Sequence, residues 1–328
     1  MKITAPLDRP REAVPLIEAG ASELYCGVLD QRWRRAGAFS NARHTFYGNL
    51  RNFGELRRVA ATARARGTDL FLCLNDHYPE EMDALVREDI VRGLEAGVDG
   101  LILADPALIC HARGLDSGCK IVLSSLAPCF NLQAVRFFCG LGVDRIVLPM
   151  GQLAQDEVRD LVRGSRPLGV EFEAFVTDTT CKNVGGFCSY HNLGIEAFFG
   201  ERSARRQRRN MALLRAAVRL LPASAREATG KTLASLGRGA SRACRDPLDI
   251  SIVQATAQGI VRRPPLRAAP EGRFAACHRG LSSIFALLEA GVHAGKIPGR
   301  GSPSRRKLRD VLAVRATVDR ASGKEGGP

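Results

Sequence analysis

The sequence predicts a (β/α)8 barrel with a basic insertion before its last strand. Three observations point to this fold: a repeated helix–glycine–strand junction, eight strand-like segments, and a length of 328 residues. A glycine just past the last helical residue takes the left-handed conformation that ends a helix, and an apolar run after it is typical of a strand buried on both faces. The clearest junctions lie at 18–27, 95–105, 140–149 and 289–298.

The strands follow one another at regular intervals. The opening strand is predicted at 2–7, and weaker copies of the junction lie at 65–74, 117–124 and 167–176. Eight such units fill a closed barrel of about 250 residues, which leaves room for an insertion. An open, doubly wound sheet is the alternative, but no Gly-x-Gly-x-x-Gly follows the first strand, which weakens its dinucleotide-binding version.

Four parts of the chain are predicted. They are seven β/α units at 1–191, a basic and partly irregular insertion at 192–276, a closing helix, last strand and C-terminal helix at 277–320, and a disordered tail at 321–328. No apolar run of about 18 residues is present, so no membrane span is expected. The N-terminus has no apolar segment of signal-peptide length, which predicts a cytoplasmic protein.

The formal net charge of +14 is concentrated in one segment. Residues 201–245 contain twelve Lys or Arg against two Glu, a net charge of +10. This segment is either a surface for RNA or a solvated basic arm. The arm is favoured because no aromatic residue lies between Phe199 and Phe274 to stack on bases.

Ten cysteines in a reducing compartment indicate free thiols or metal ligands rather than disulfides. Five of them are predicted to be small buried hydrophobic residues, because they lie in apolar strand-like or helical runs. These are Cys26, Cys73, Cys110, Cys119 and Cys139.

Two other cysteines, Cys181 and Cys188, lie in a glycine-containing loop after the seventh predicted strand. Soft thiolates select zinc, copper(I) or iron–sulfur clusters, and paired glycines allow the loop to fold back on itself. Cys244 and Cys277 are the candidate third and fourth ligands, because both lie outside apolar strands. His191 or His278 as substitutes would favour zinc.

Several motifs give the chain a family resemblance. It resembles the collagenase-like peptidase family U32, through Ala5-Pro6, the segment 18–27, the Cys-x6-Cys loop and Lys296-Ile-Pro-Gly-Arg300. Asn41-Ala-Arg-His44 and Gly48-Asn-Leu-Arg-Asn-Phe53 are most similar to the ubiquinone-biosynthesis protein U branch. The resemblance covers 1–191 and 277–320. The chain departs from the family pattern at Pro298, where the family has Glu, and throughout 192–276.

The resemblance implies an oxygen-independent hydroxylation system in which four cysteines hold a 4Fe-4S cluster and a second family member of similar fold is the partner. The cluster ligands implied are Cys181, Cys188, Cys244 and Cys277, and zinc is the alternative metal. The substrate implied is a small aromatic or quinone-precursor molecule. Related branches hydroxylate transfer RNA or ribosomal RNA, and older members were named as proteases.

Candidate substrate-binding residues follow from the barrel fold, whose active site lies at the C-terminal ends of the strands. Guanidinium groups suit carboxylates and phosphates, so an anionic or aromatic acid is the expected ligand. The candidates are Arg43, His44, Asn75, Lys296 and Arg300. Solvated or helix-capping side chains are the alternative for each of them. Asp105, before Pro106, is predicted to cap a helix.

Three functions are therefore carried forward: an iron–sulfur hydroxylation component, an RNA-modifying or RNA-binding relative, and a non-catalytic partner subunit. A collagenase-like protease is less favoured. Neither Gly-x-Ser-x-Gly nor His-Glu-x-x-His is present. A cysteine protease built on Cys181 or Cys188 with His191 would leave the other loop cysteines without a purpose.

Overall fold

A closed barrel of eight parallel strands forms the protein, as the repeated junction predicts. The computed structural model describes residues 1–43, 48–115, 118–150, 152–177, 253–256, 259–262 and 280–323. The barrel strands are β1 (Lys2–Pro6), β2 (Glu23–Cys26), β3 (Asp69–Leu74), β4 (Gly100–Leu103), β5 (Lys120–Leu123), β6 (Arg145–Val147), β7 (Glu171–Phe175) and β10 (Ala294–Lys296). Their order around the barrel is β1-β10-β7-β6-β5-β4-β3-β2.

Helices separate the strands along the chain. Those in the described residues are α1 (Ala13–Glu18), α2 (Gln31–Ala36), α3 (Phe53–Arg64), α4 (Asp83–Glu95), α5 (Pro106–Gly114), α6 (Leu132–Gly140), α7 (Gln155–Ser165), α8 (Ser283–Ala290) and α9 (Ser304–Ala321). The last strand pairs with both β7 and β1, through Lys296↔Phe175 and Thr4↔Lys296, so residues from the two ends of the chain close the barrel.

A short antiparallel hairpin lies within the predicted insertion. Its strands are β8 (Val253–Thr256) and β9 (Gly259–Arg262), with Val253 opposite Arg262.

Two apolar layers hold the barrel together. The larger one lies between the strands and the helices and includes Trp33, Leu56 and Ile90, all of them fully buried. A smaller cluster fills the barrel interior. It consists of Tyr25, Phe71, Cys73, Ile102, Val122 and Val147. Burial on both faces explains why the strands form nearly continuous apolar runs in the sequence.

The helix boundaries match the local signals. Asp105 accepts a hydrogen bond from the backbone N–H of Ala107 at 2.7 Å, which confirms it as the predicted cap of α5. At two of the repeated junctions, Gly97 and Gly142 have φ angles of 88° and 92°. These angles are in the left-handed region, which explains the glycine in the repeat.

The burial predicted for the five cysteines is only partly right. Cys26, Cys73 and Cys119 are buried, as expected for residues in or beside strands. Cys139 is half-buried. The prediction is wrong for Cys110, which is exposed because the buried face of α5 is formed by Leu108, Ile109 and Ala112. An apolar run in a helix does not by itself say which side faces the core.

None of the helices in the described residues has both the length and the apolar character that crossing a membrane requires.

Candidate active site at the C-terminal mouth of the barrel

The segment between β2 and α3 folds back over the C-terminal end of the barrel. Val28 and Leu50 form a parallel bridge. Leu29 donates a backbone hydrogen bond to the Leu50 carbonyl at 2.9 Å, and Leu50 donates one to the Gly27 carbonyl at 2.8 Å. The polar residues between these two points therefore lie beside the ends of β1, β2 and β10.

Asn41 is the centre of a polar cluster at this mouth and is fully buried. Its Oδ1 accepts hydrogen bonds from Arg300 Nη1 at 2.8 Å and from the backbone N–H of Arg43 at 3.1 Å. Its Nδ2 donates to Asn49 Oδ1 at 2.8 Å and to Ser40 Oγ at 3.0 Å. The amide therefore uses all four of its hydrogen-bonding positions and holds the surrounding groups in one arrangement.

Among the described residues, Arg300 has guanidinium donors that no protein acceptor uses. Its side chain is 8% exposed, and its guanidinium carbon lies 6.0 Å from the centroid of the Tyr25 ring. Tyr25 is itself held by a 2.8 Å hydrogen bond from its hydroxyl to the Ile297 carbonyl. Within the described residues, Asn41 is the acceptor for one guanidinium nitrogen of Arg300. A guanidinium has five N–H donors, so Arg300 is equipped to bind an anionic group.

Asn75 joins a third part of the mouth to this cluster. It follows β3, donates from Nδ2 to Ser124 Oγ at 2.9 Å, and accepts at Oδ1 from the backbone N–H of Ala42 at 3.4 Å. Ser124 Oγ in turn accepts from the backbone N–H of Leu126 at 3.3 Å. Asn75 thus connects the ends of β3 and β5 to the 27–52 segment.

Lys296 points into the barrel rather than standing free at the mouth. Its side chain is 7% exposed, its Nζ lies 2.8 Å from Glu173 Oε1, and it sits 4.1 Å from the centroid of the Tyr25 ring. The positive charge is therefore balanced by Glu173. Lys296 and Arg300 therefore lie near the same aromatic ring, that of Tyr25.

The structure places Asn75, Arg300 and the backbone of Arg43 around Asn41 and Ala42. His44 and the four predicted ligands Cys181, Cys188, Cys244 and Cys277 lie outside the described residues. In the part of the chain that the structure describes, no group of three or more His, Cys, Asp or Glu is arranged to hold a metal ion. The ligand set and the roles of the substrate candidates stay predictions.

Sequence reasoning missed several members of the mouth. Asn41 and Asn49 lie inside the two motifs that carry the closest branch resemblance, so their position was a usable signal. Tyr25 lies in an apolar strand, and nothing in the local sequence indicates that its hydroxyl donates to the carbonyl of Ile297, 272 residues away. Such long-range partners depend on barrel closure.

Beneath the mouth, a buried network of charges spans the barrel. Arg145 is fully buried and donates to both carboxylate oxygens of Glu23, with Nη1–Oε2 at 2.6 Å and Nη2–Oε1 at 2.9 Å. Arg145 Nη1 also lies 3.4 Å from Glu173, the partner of Lys296, and its Nε donates to Glu171 at 2.8 Å. These bonds satisfy charges that would otherwise be costly to bury.

The network changes how Glu23 titrates. Burial acts to raise the pKa of Glu23, but hydrogen bonds and the charges of Arg145 and Lys2 outweigh it, lowering the pKa from 4.5 to about 2. Because the folded pKa is below the unfolded one, the stabilisation is complete above pH 4.5 and is lost as pH falls toward 2.

We expect Glu23 to contribute about 3 kcal/mol to the free energy of unfolding at neutral pH, because folding lowers its pKa from 4.5 to about 2. Urea unfolding at a series of pH values measures this. The unmodified protein should lose more stability between pH 4.5 and 2 than Glu23→Gln does. Parallel profiles of the two proteins would show that Glu23 is not the group responsible.

The cysteines near the mouth are poor nucleophiles. Cys73 lies in the interior cluster beside Tyr25, and Cys26 lies in the outer core. Burial raises the pKa of both thiols above its usual value. Since the thiolate is the reactive form, neither residue is suited to attack a peptide carbonyl.

Comparison with protein families shows where this barrel belongs. Residues 9–208, more than half of the chain, match the model of peptidase family U32. The chain is a member of peptidase family U32. This match bears out the family resemblance carried by the sequence motifs, and it includes the segment from which Asn41, Asn49 and Asn75 build the mouth.

The relatives of this U32 chain are named for two different activities, collagen cleavage and tRNA hydroxylation. It is 27% identical over 197 residues to a collagenase of Porphyromonas gingivalis, covering 57% of this chain and 44% of that protein. It is 30% identical over 140 residues to tRNA hydroxylation protein P1 of Bacillus subtilis, covering 42% of this chain and 32% of that protein. It is 24% identical over 170 residues to tRNA hydroxylation protein P2 of the same organism, covering 52% of this chain and 50% of that protein.

The matched segments thus span half or less of each of these curated relatives. Among solved structures, that of the U32 peptidase Mk0906 aligns with a TM-score of 0.45 and 17% identity, covering 59% of this chain and 75% of the other.

Proposed function

We propose that this U32 chain is a component of an oxygen-independent hydroxylation system whose client is RNA. The observation that carries the proposal is Arg300, which is buried at the barrel mouth beside Tyr25 and the Asn41 cluster. Some of its guanidinium donors have no acceptor in the part of the chain that the structure describes. A cation beside hydrogen-bonding and aromatic groups suits a planar base attached to a phosphate. Two relatives named for tRNA hydroxylation and the net charge of +10 in 201–245 also favour RNA.

The proposal includes a 4Fe-4S cluster held by Cys181, Cys188, Cys244 and Cys277, with zinc as the alternative metal. The donor set fits, since four cysteine thiolates are the usual complement of one such cluster. Cys181 follows the end of β7 by six residues, and β7 ends at the mouth. When bound, the cluster would supply electron transfer. A fully ligated cluster leaves substrate binding to neighbouring side chains, for which Arg300 and Asn75 are the candidates.

A second U32 chain is the proposed partner. Bacillus subtilis has two relatives of this chain, numbered P1 and P2 under one functional name, which favours a paired arrangement. In such a pair, this chain is either the hydroxylating subunit or a non-catalytic one whose cluster is structural.

A small aromatic acid or quinone precursor is the second candidate substrate. The observation that favours it is that the motif Asn41-Ala-Arg-His44, which resembles the ubiquinone branch, supplies the hydrogen-bond partner of Arg300. A carboxylate on an aromatic ring would use the same guanidinium donors as a phosphate.

Anaerobically purified full-length protein tests these proposals. Iron and acid-labile sulfide analysis tests the cluster, and Cys244→Ala and Cys277→Ala should lose it while Cys139→Ala keeps it. RNA affinity should fall steeply as salt rises, because phosphate contacts release counterions. Arg300→Gln should weaken RNA binding about tenfold or more, the usual effect of losing a charged hydrogen bond, while Arg163→Gln should not.

Each competing function has its own readout. Mass spectrometry of nucleosides from cells with and without the gene should show a hydroxylated base that depends on it. Salt-insensitive or absent RNA binding, together with Arg300-dependent binding of 4-hydroxybenzoate, would replace RNA by the small aromatic acid. Gelatin cleavage by metal-free protein would replace both by a protease.

A further inference from the structure

A cavity of about 430 Å³ lies outside the barrel, between α1 and α9. Its apolar wall is formed by Pro15, Leu16 and Leu308, and Arg11 and Arg305 contribute the cationic side chains. Its volume is within the range of small-molecule sites, and an apolar wall with a few charged groups is their usual lining. The cavity is separate from the Asn41 cluster and has no role in the function proposed above.

The polar residues that line this cavity, Glu12, Ser304 and Lys307, are hydrogen-bonded to one another. Lys307 is 1% exposed and binds Glu12 at 2.9 Å between Nζ and Oε2, and it also contacts Asp8. Ser304 donates its hydroxyl to Glu12, and the backbone N–H of Gly301 donates to Asp8 at 2.6 Å. Asp8 contacts Lys307 but does not line the cavity, and it brings the formal charge of Asp8, Glu12 and Lys307 together to −1. Arg11 and Arg305 reverse it to +1, which one negative charge on a ligand would neutralise.

The start of α9 has an unfavourable charge pattern. Its first turn contains Arg305, Arg306 and Lys307 and no acidic residue, and its N-cap, Pro303, makes no side-chain cap. By contrast, α3, α5 and α6 begin with a capping Asn or Asp. Cations at a helix N-terminus oppose the helix dipole, and departures from local rules cluster at functional sites.

Neither Arg11 nor Arg305 has an acidic partner to offset this pattern among the described residues. The neighbouring cations on α9 differ, because Arg306 lies 3.5 Å from Asp310 and Arg309 lies 3.1 Å from the same residue. Arg305 is thus the exposed cation of the first turn that is left for an external anion, and it faces the same cavity as Arg11.

We infer that this cavity binds a small amphipathic carboxylate, an apolar body carrying one negative charge. The head group pairs with the guanidinium groups of Arg11 and Arg305, which come from opposite ends of the sequence. The body is buried against Pro15, Leu16 and Leu308. The single charge matches the +1 balance of the cavity, and the anion also offsets the unfavourable start of α9.

Sodium octanoate is the test ligand, with octanamide as its uncharged isostere, and binding to the full-length chain is measured by isothermal titration calorimetry. Octanoate should bind and octanamide should bind at least about tenfold more weakly, as expected when a charged hydrogen bond is lost. Arg11→Gln with Arg305→Gln should weaken octanoate binding by about the same factor. Arg309→Gln, an exposed arginine on the same helix, is the matched control and should leave the affinity unchanged.

Three results would overturn the inference: no octanoate binding, equal affinity for octanamide, or an equal loss in the Arg309 variant. Arg11 and Arg305 are both exposed, so their substitution should leave folding intact, which a thermal melt checks. Loss of RNA binding has no bearing on this result, because Arg300 and the Asn41 cluster remain unaltered.

Discussion

Arg145→Met is expected to lower the free energy of unfolding by about 3–5 kcal/mol, the usual cost of removing one partner from a buried ion pair. The methionine fills a similar volume but removes the guanidinium that joins Glu23 to Glu173. Each of these buried carboxylates then keeps a lysine alone as its charged partner among the described residues, Lys2 for Glu23 and Lys296 for Glu173. It also removes the cation that lies 5.6 Å from the centroid of the Phe71 ring. Urea unfolding followed by circular dichroism measures the loss.

Two further variants show whether the loss of stability in Arg145→Met comes from the buried charge network or from replacing any arginine by methionine. Arg163→Met removes an exposed ion pair with Asp160, whose side chains are 68% and 65% exposed, and should change stability by less than about 1 kcal/mol. Glu23→Gln combined with Arg145→Met should be less destabilised than the sum of the single variants by about 1–3 kcal/mol, because the two residues interact. A simple sum would mean that the buried pair contributes nothing as a pair.

Gly27→Ala is expected to destabilise the protein by about 1–3 kcal/mol, the usual cost of adding a methyl group to a packed site. A Cβ atom at this position would lie 2.3 Å from Asn49 Oδ1, 2.5 Å from Asn41 Nδ2 and 2.6 Å from Arg300 Nη1. All three distances are shorter than the contact distance of a methyl group, so the alanine would overlap these atoms. The polar cluster would have to move, so the variant should also lose the affinity for whichever ligand Arg300 binds.

Gly114→Ala is the matched control for this substitution. Gly114 is the last residue of α5, and nothing lies within 4 Å of the position a Cβ would take. An alanine there should leave stability unchanged or raise it by about 0.5–1 kcal/mol, because glycine loses more backbone freedom on folding. If Gly27→Ala destabilised the protein no more than Gly114→Ala, that result would contradict the close packing of Asn41, Asn49 and Arg300 around Gly27.

Part of the candidate site was predictable from local patterns, and part was not. Arg300, Asn75 and Arg43 could be named in advance because parallel strands in a barrel end on one face. The role of Lys296 could not be anticipated, because its partner Glu173 lies on another strand and is recognisable only once β7 and β10 are paired. The same is true of Asn41, whose bond to Arg300 joins residues 259 positions apart.

The sequence by itself determined the architecture of this protein. The helix–glycine–strand junction repeats along the chain, and it acts locally, through a left-handed residue at Gly97 or Gly142 and a strand buried on both faces. Only the tertiary structure decided which polar residues pair. Barrel closure brings Arg145 to Glu23 and Arg300 to Asn41 across more than a hundred residues, and no local pattern records a contact that depends on the register of distant strands.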